Sequence, residues 1–246
     1  IGLKENKHPL NLKPWDTVVK KINNPSKEVK IGIVGKYTDL KDSYKGVPIT
    51  KINEVDAIGH GAIALYEIGD NPFVAISAGT GTACVYHNEG NFNYLGGISL
   101  GGGTLQGLTK HLINIKNPND IEKLAKKGDR KKLDFLIGDV VHEIGSLYPE
   151  ITASNFAKAK DYKNLSPNDV AASISNMVGE VIGTISYLNA MICNENKVYF
   201  LGRVSLNDVI KSGIEDRLKL AKIKGLFKEN REYGNVLGAL NCIQTK

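Results

Sequence analysis

The chain has 246 residues, 41% hydrophobic and 24% charged, with a formal net charge of +6; it is long enough for a sizeable core and too apolar for intrinsic disorder. Its lysines are scattered among acids with no aromatic-interleaved basic stripe, which argues against a nucleic-acid partner, and its apolar runs fall far short of the ~18 residues a membrane helix needs. The isolated cysteines Cys84, Cys193 and Cys242 predict a reduced, cytoplasmic setting and no metal-binding cluster.

Residues 1–28 are polar and hold Pro9, Pro14 and Pro25; a helix at 15–22 would put Trp15, Val18, Val19 and Ile22 on one face. The apolar run at 29–35 reads as a buried strand, followed by a polar turn region at 38–46. A short strand at 47–52 leads to a helix at 54–67 with Ile58, Ala62 and Leu65 on one side. The strand at 73–77 runs into an Ala-Gly-Thr-Gly-Thr turn and a hairpin partner at 84–86. A glycine run opens a helix at 105–115, and further helices are predicted at 119–127 and 133–144. Pro167, preceded by a Ser166 cap, starts a long helix or helix pair ending near 193. A strand at 198–201 stops at Gly202, a helix follows at 206–220, and a small-residue helix closes the pattern at 234–242.

Two glycine motifs carry the chemical signal: Gly79, Thr80, Gly81 and Thr82 between two strands, and Gly101, Gly102, Gly103 and Thr104 opening a helix. Successive backbone N–H groups in tight turns make a nest for phosphate oxygens, and a helix N-terminus favours an anion. No Gly-Lys-Ser/Thr follows the glycines, so this is not a Walker loop, and the dinucleotide Gly-x-Gly-x-x-Gly spacing is absent. One such turn would be an ordinary turn; two at element ends favour nucleotide phosphate. Glu54, where a short strand meets a helix, could take a proton from a substrate hydroxyl, but its spacing alone fits an ordinary first-turn acid better. Gly202, after a strand, suits a loop under a base or ribose. The five histidines share no spacing.

These residues carry a family likeness. The segment 49–59, with Asn53, Glu54 and Asp56, is similar to the part of type II pantothenate kinases that bears the catalytic glutamate. Residues 77–82 resemble their second phosphate loop, and 95–108, LGGISLGGGTLQGL, their most distinctive glycine segment. LAKKGD at 124–129, TASNF at 152–156, the strand at 198–202 and the helix at 234–240 follow in the family's order. The resemblance covers 47–246 and implies an α/β fold of the actin-like ATPase, ribonuclease-H-like kind, with the N-terminal lobe incomplete. It implies ATP and Mg²⁺ as cofactors, pantothenate as acceptor in coenzyme A biosynthesis, coenzyme A or acyl-coenzyme A as inhibitor, and a homodimer paired through long helices. Carried over by position, Glu54 is the general base. Gly79, Thr80, Gly81, Thr82, Gly101, Gly102, Gly103, Thr104, Leu105 and Gly202 bind ATP, and no residue is assigned as a metal ligand.

Three departures stand against that pattern. A DxGGT-type phosphate hairpin does not occur in the sequence, Tyr94 stands where the family has an arginine, and Arg203 follows Gly202 where a small residue is usual. Losing an arginine that stabilises phosphoryl transfer costs ~10³–10⁵ in rate, so impaired activity is expected. Residues 1–44 resemble another family, through Leu10, Asn11, Leu12 and Trp15, then KIGIVGKY at 30–37 and LKDSY at 40–44: the linker and first glutaminase-domain strand of CTP synthase. The glutaminase triad and the synthetase domain have no counterpart, so CTP synthesis is not implied. The domain reading is therefore 1–46, an arm or substitute strand, and 47–246, the ATP-binding part. A non-catalytic nucleotide- or coenzyme-A-binding module and an inactive CTP-synthase-related fragment remain as alternatives.

Overall fold

The computed structural model describes residues 13–24, 50–140 and 148–244. The strand expected at 29–35 and the turn region at 38–46 lie outside them. The chain divides into two units, Ile1–Ile31 and Gly32–Lys246. In the first, α1 spans Lys13–Asn23, and the predicted apolar face of Trp15, Val18, Val19 and Ile22 falls at helical spacing.

The second unit is built on a five-stranded sheet. Its strands are β1 (Phe73–Ala78), β2 (Thr82–Asn88), β3 (Asn91–Ile98), β6 (Lys197–Leu201) and β7 (Lys224–Leu226), in the order β3-β2-β1-β6-β7. β1, β2 and β3 are antiparallel neighbours, while β6 runs parallel to β1 and β7 parallel to β6. Three antiparallel strands continued by parallel ones form the ribonuclease-H-like arrangement that the resemblance implied. β1 is buried along its whole length, as a central strand covered on both faces must be.

Alternation sorts its side chains into two cores. Val74, Ile76 and Ala78 join Val198, Phe200, Ile174, Val178, Ile182, Ile210 and Ile214 on one face. Phe73 and Ala75 join Ile58, Ala62, Leu65, Val85 and Leu201 on the other. The first face is covered by α5 (Pro167–Ile192) and α6 (Asp208–Leu220), with α3 (Gly102–Ile113) and α4 (Pro118–Ala125) alongside α5. The second is covered by α2 (Glu54–Tyr66), which crosses α7 (Gly234–Gln244). That crossing is close enough that a Cβ on Gly238 would stand 1.8 Å from the Ala57 carbonyl oxygen. The long segment after Pro167 is a single helix. Ser166 occupies its N-cap, but its side chain makes no capping hydrogen bond.

Several expectations are corrected. Thr50, Lys51 and Ile52 form no strand and lead irregularly into the Asn53 cap of α2. The helix expected at 133–144 does not form across its described part: Phe135–Leu136 is β4, pairing with β5 (Thr152–Ser154), and Ile137–Asp139 is one 3₁₀ turn. Asp134 is the reason. Its fully buried carboxylate accepts from Phe156 N (2.9 Å) and from the Ser173 hydroxyl, which turns the chain there and overrides helical propensity. β3 goes unpredicted because as an edge strand it has no buried face to impose alternation.

Candidate functional site

The first glycine turn, residues 78–82, closes the β1–β2 hairpin, with Gly79 N donating to Gly81 O (2.8 Å). The second, residues 99–104, connects β3 to α3. The Thr82 hydroxyl donates to Leu100 O (2.9 Å), and the Thr104 hydroxyl to Ser99 O (3.3 Å). The structure brings the two turns together: Gly102 N donates to Gly79 O (2.8 Å) and Gly103 N to Thr80 O (3.0 Å). A Cβ on Gly101 would meet the Gly79 and Thr80 carbonyl oxygens at 2.7 and 2.8 Å, so the join requires glycine there.

The third turn lies against the first two. Gly202, at the end of β6, has φ +91°, a region that side chains disfavour, and its Cβ would lie 2.3 Å from Ala78 O. A Cβ on Gly102 would touch Val204 Cγ2 at 3.1 Å. All three turns thus gather at the carboxyl ends of β1 and β6, the edge where open α/β sheets bind ligands.

The amides behave differently from the sequence expectation. Those of Gly79, Gly102 and Gly103 are used inside the fold, and that of Leu105 donates to Gly101 O. The amides of Thr80 and Gly81 in the first turn, and of Gly101 and Thr104 in the second, find no acceptor among the described residues, and Thr80 is exposed. Each turn thus keeps amides that the fold does not use, and the second also supports the first through the Gly102 and Gly103 bonds. Leu105 sits in the core with 4% of its surface exposed, propping that support from behind.

Glu54 is the first residue of α2. Asn53 caps the helix by accepting from Val55 N (2.9 Å), which leaves the Glu54 carboxylate exposed and unbonded to either glycine turn among the described residues. Asp56 shares its turn, half-buried. Tyr94 is exposed on β3 and lays its hydroxyl against Gly97; Arg203 is exposed at the start of a 3₁₀ turn, Arg203–Leu206.

Three groups escaped sequence reasoning. The Ser77 hydroxyl, at the end of β1, meets Asn235 Oδ1 of α7 (3.2 Å). Arg231 is buried behind the Gly202 turn, with Nε donating to Ser205 Oγ (2.9 Å). The Tyr66 hydroxyl lies 2.7 Å from Phe200 O and 2.8 Å from Leu226 O, and burial raises its pKa. Each is linked to its partner across more than 25 residues of chain, so no local pattern marks them. Among the described residues no group of three or more His, Cys, Asp or Glu side chains could hold a metal by itself, and no helix is long and apolar enough to cross a membrane.

A family model described as Fumble matches residues 66–213, a stretch that includes all three turns. Over 207 residues the chain is 34% identical to the type II pantothenate kinase of Bacillus thuringiensis subsp. konkukian (strain 97-27), covering 82% of this chain and 74% of that one. The chain belongs to the type II pantothenate kinase family. Two solved structures share the fold of this family member. The (R)-2-hydroxyglutaryl-CoA dehydratase component A of Acidaminococcus fermentans aligns with TM-score 0.53 and 17% identity, over 80% of this chain and 70% of that one. A ROK family glucokinase from Streptomyces griseus, in complex with glucose and AMPPNP, aligns with TM-score 0.51 and 13% identity, over 83% and 71%. At such identities the likeness bears on the fold alone, which is that of the actin-like kinases and ATPases.

Proposed function

We propose that this chain is an ATP-dependent pantothenate kinase-like phosphotransferase of coenzyme A biosynthesis, working in the cytoplasm. Membership of the type II pantothenate kinase family supports the reaction class. The observation that carries it to this chain is the joined pair of glycine turns at the carboxyl edge of the sheet, whose Thr80, Gly81, Gly101 and Thr104 amides find no acceptor among the described residues.

In this reading the triphosphate lies over Thr80 and Gly81, with Thr82, Gly101, Gly102, Gly103, Thr104 and Leu105 fixing the floor beneath it and Gly202 bordering the nucleoside. The nucleotide substrate is the magnesium complex of ATP, whose ion would neutralise charge on the phosphate oxygens and would take most of its ligands from phosphate and water. The pantothenate hydroxyl oxygen attacks the γ-phosphorus as the bond to the β–γ bridging oxygen breaks and ADP departs. The hydroxyl proton passes to the Glu54 carboxylate, which is exposed and has no partner among the described residues and so is available as a base. Coenzyme A or its acyl derivatives, which carry the pantothenate moiety, compete at the same place.

The test compares wild type with Glu54→Gln in an assay that follows both ADP and phosphopantothenate. Wild type forms both in equal amounts, and the variant turns over at least ~100-fold more slowly while ATP raises its melting temperature as before. Equal silence of the two proteins, with that ATP shift retained, would leave a nucleotide-binding module and no kinase.

A further inference from the structure

We propose that Arg231 is a positioning residue for the nucleotide, acting through the turn that follows Gly202. This rests on the nucleotide-binding reading above and adds the group that sets the third turn in place.

Arg231 retains 9% of its surface. Its guanidinium donates through Nε to Ser205 Oγ (2.9 Å), through Nη2 to Ser205 O (2.8 Å) and through Nη1 to Lys228 O (3.0 Å). Its backbone carbonyl accepts from Gly202 N (2.9 Å), and the Ser205 hydroxyl donates onward to Gly202 O (3.0 Å). Both ends of the turn at 202–205 are therefore tied to one residue. The turn cannot drift without consequence, because Gly202 abuts Ala78 O and Val204 abuts Gly102, residues that belong to or adjoin the two phosphate turns.

The charge of this side chain is the second part of the argument. Among the described residues its hydrogen-bond acceptors are two carbonyls and one hydroxyl, all neutral, and it lies over the Phe227 ring at 5.7 Å from the centroid. Burying a cation without a bonded carboxylate is costly. A neutral donor would meet a purely architectural need at lower cost. A cation behind a turn that borders an anionic ligand lowers the cost of bringing the anion there. Arg231 thus sets ATP affinity, through both the geometry of the turn and its field, and leaves the chemical step alone.

The full chain is titrated with ATP by calorimetry, as wild type, Arg231→Lys and Ser205→Ala. The lysine variant keeps the charge but loses the planar fork, and Ser205→Ala removes one hydroxyl from the same tie. The expected result is an ATP Kd raised about tenfold in Arg231→Lys and about threefold in Ser205→Ala, as for loss of hydrogen bonds to a charged group. The KM for ATP follows the Kd, while kcat and the KM for pantothenate stay within about twofold of wild type, a split that a merely structural role does not produce. If both variants bind ATP with the wild-type Kd, or if kcat falls with the ATP KM unchanged, the proposal for Arg231 is overturned and the kinase reading stands. Should Arg231→Lys fail to fold, Ser205→Ala decides alone. If wild type binds no ATP, both readings fall together.

Discussion

A methyl group at position 101 would stand 2.7 Å from the Gly79 carbonyl oxygen and 2.8 Å from that of Thr80. Those are the carbonyls that accept from Gly102 N and Gly103 N. Gly101→Ala therefore pushes the two turns apart at the point where they are joined. Its expected signature is a near-complete loss of the ATP-induced rise in melting temperature, with a smaller fall in the melting temperature of the free protein; an unchanged ATP shift would separate the turns from nucleotide binding. The glycines were legible in the sequence because a run of them has few other uses. Which of their amides the fold consumes was not. Which amides face solvent depends on which carbonyls from the other turn, about twenty residues away, arrive to accept the rest.

Among the elements, α2 is tied to the sheet at its far end by one hydroxyl. Tyr66 Oη reaches Phe200 O of β6 and Leu226 O of β7, and it accepts from Lys228 N (3.1 Å). Tyr66→Phe leaves those backbone groups without that partner, and the expected loss is ~1–3 kcal/mol of folding stability, read from urea denaturation. A change within error would show that water replaces the hydroxyl freely. α2 could be read from the spacing of Ile58, Ala62 and Leu65, α5 from Pro167 after Ser166, and α7 from its small residues. The region at 133–140 could not, because its conformation follows from what Asp134 binds: Phe156 N and Ser173 lie 22 and 39 residues further along the chain.

At the scale of the whole molecule, two properties are open to measurement. The first is pH dependence. Burial raises the Asp134 carboxyl above its usual value, against the opposing hydrogen bonds from Phe156 N and Ser173 and the nearby Arg130. A raised folded pKa means the folded state holds the proton more tightly. The stability it contributes is present below the ordinary carboxylate range and is lost as pH rises through the folded value. Asp134→Asn keeps an acceptor but not the charge, so its melting temperature should gain on wild type as pH rises from 4 to 7; a constant difference would contradict this. The second is assembly. Leu188, Met191 and Ile192 are exposed along the last turns of α5, at 42%, 60% and 79%, and we infer that this stripe pairs two copies. Sedimentation should show a dimer that Ile192→Glu dissociates, and a wild-type monomer at micromolar concentration would end that reading.

The sequence by itself determined the family, the α/β class, the positions of most helices and the two glycine motifs, because each is written in residues adjacent along the chain or repeated at a fixed period. Tertiary structure alone decided which glycine-turn amides the fold consumes, that Leu105 belongs to the core, and that Arg231 and Tyr66 serve turns and strands far from them in sequence. Those outcomes depend on which donor meets which acceptor once the sheet is assembled. A buried polar group takes the nearest partner that the fold supplies, whatever its neighbours in the chain.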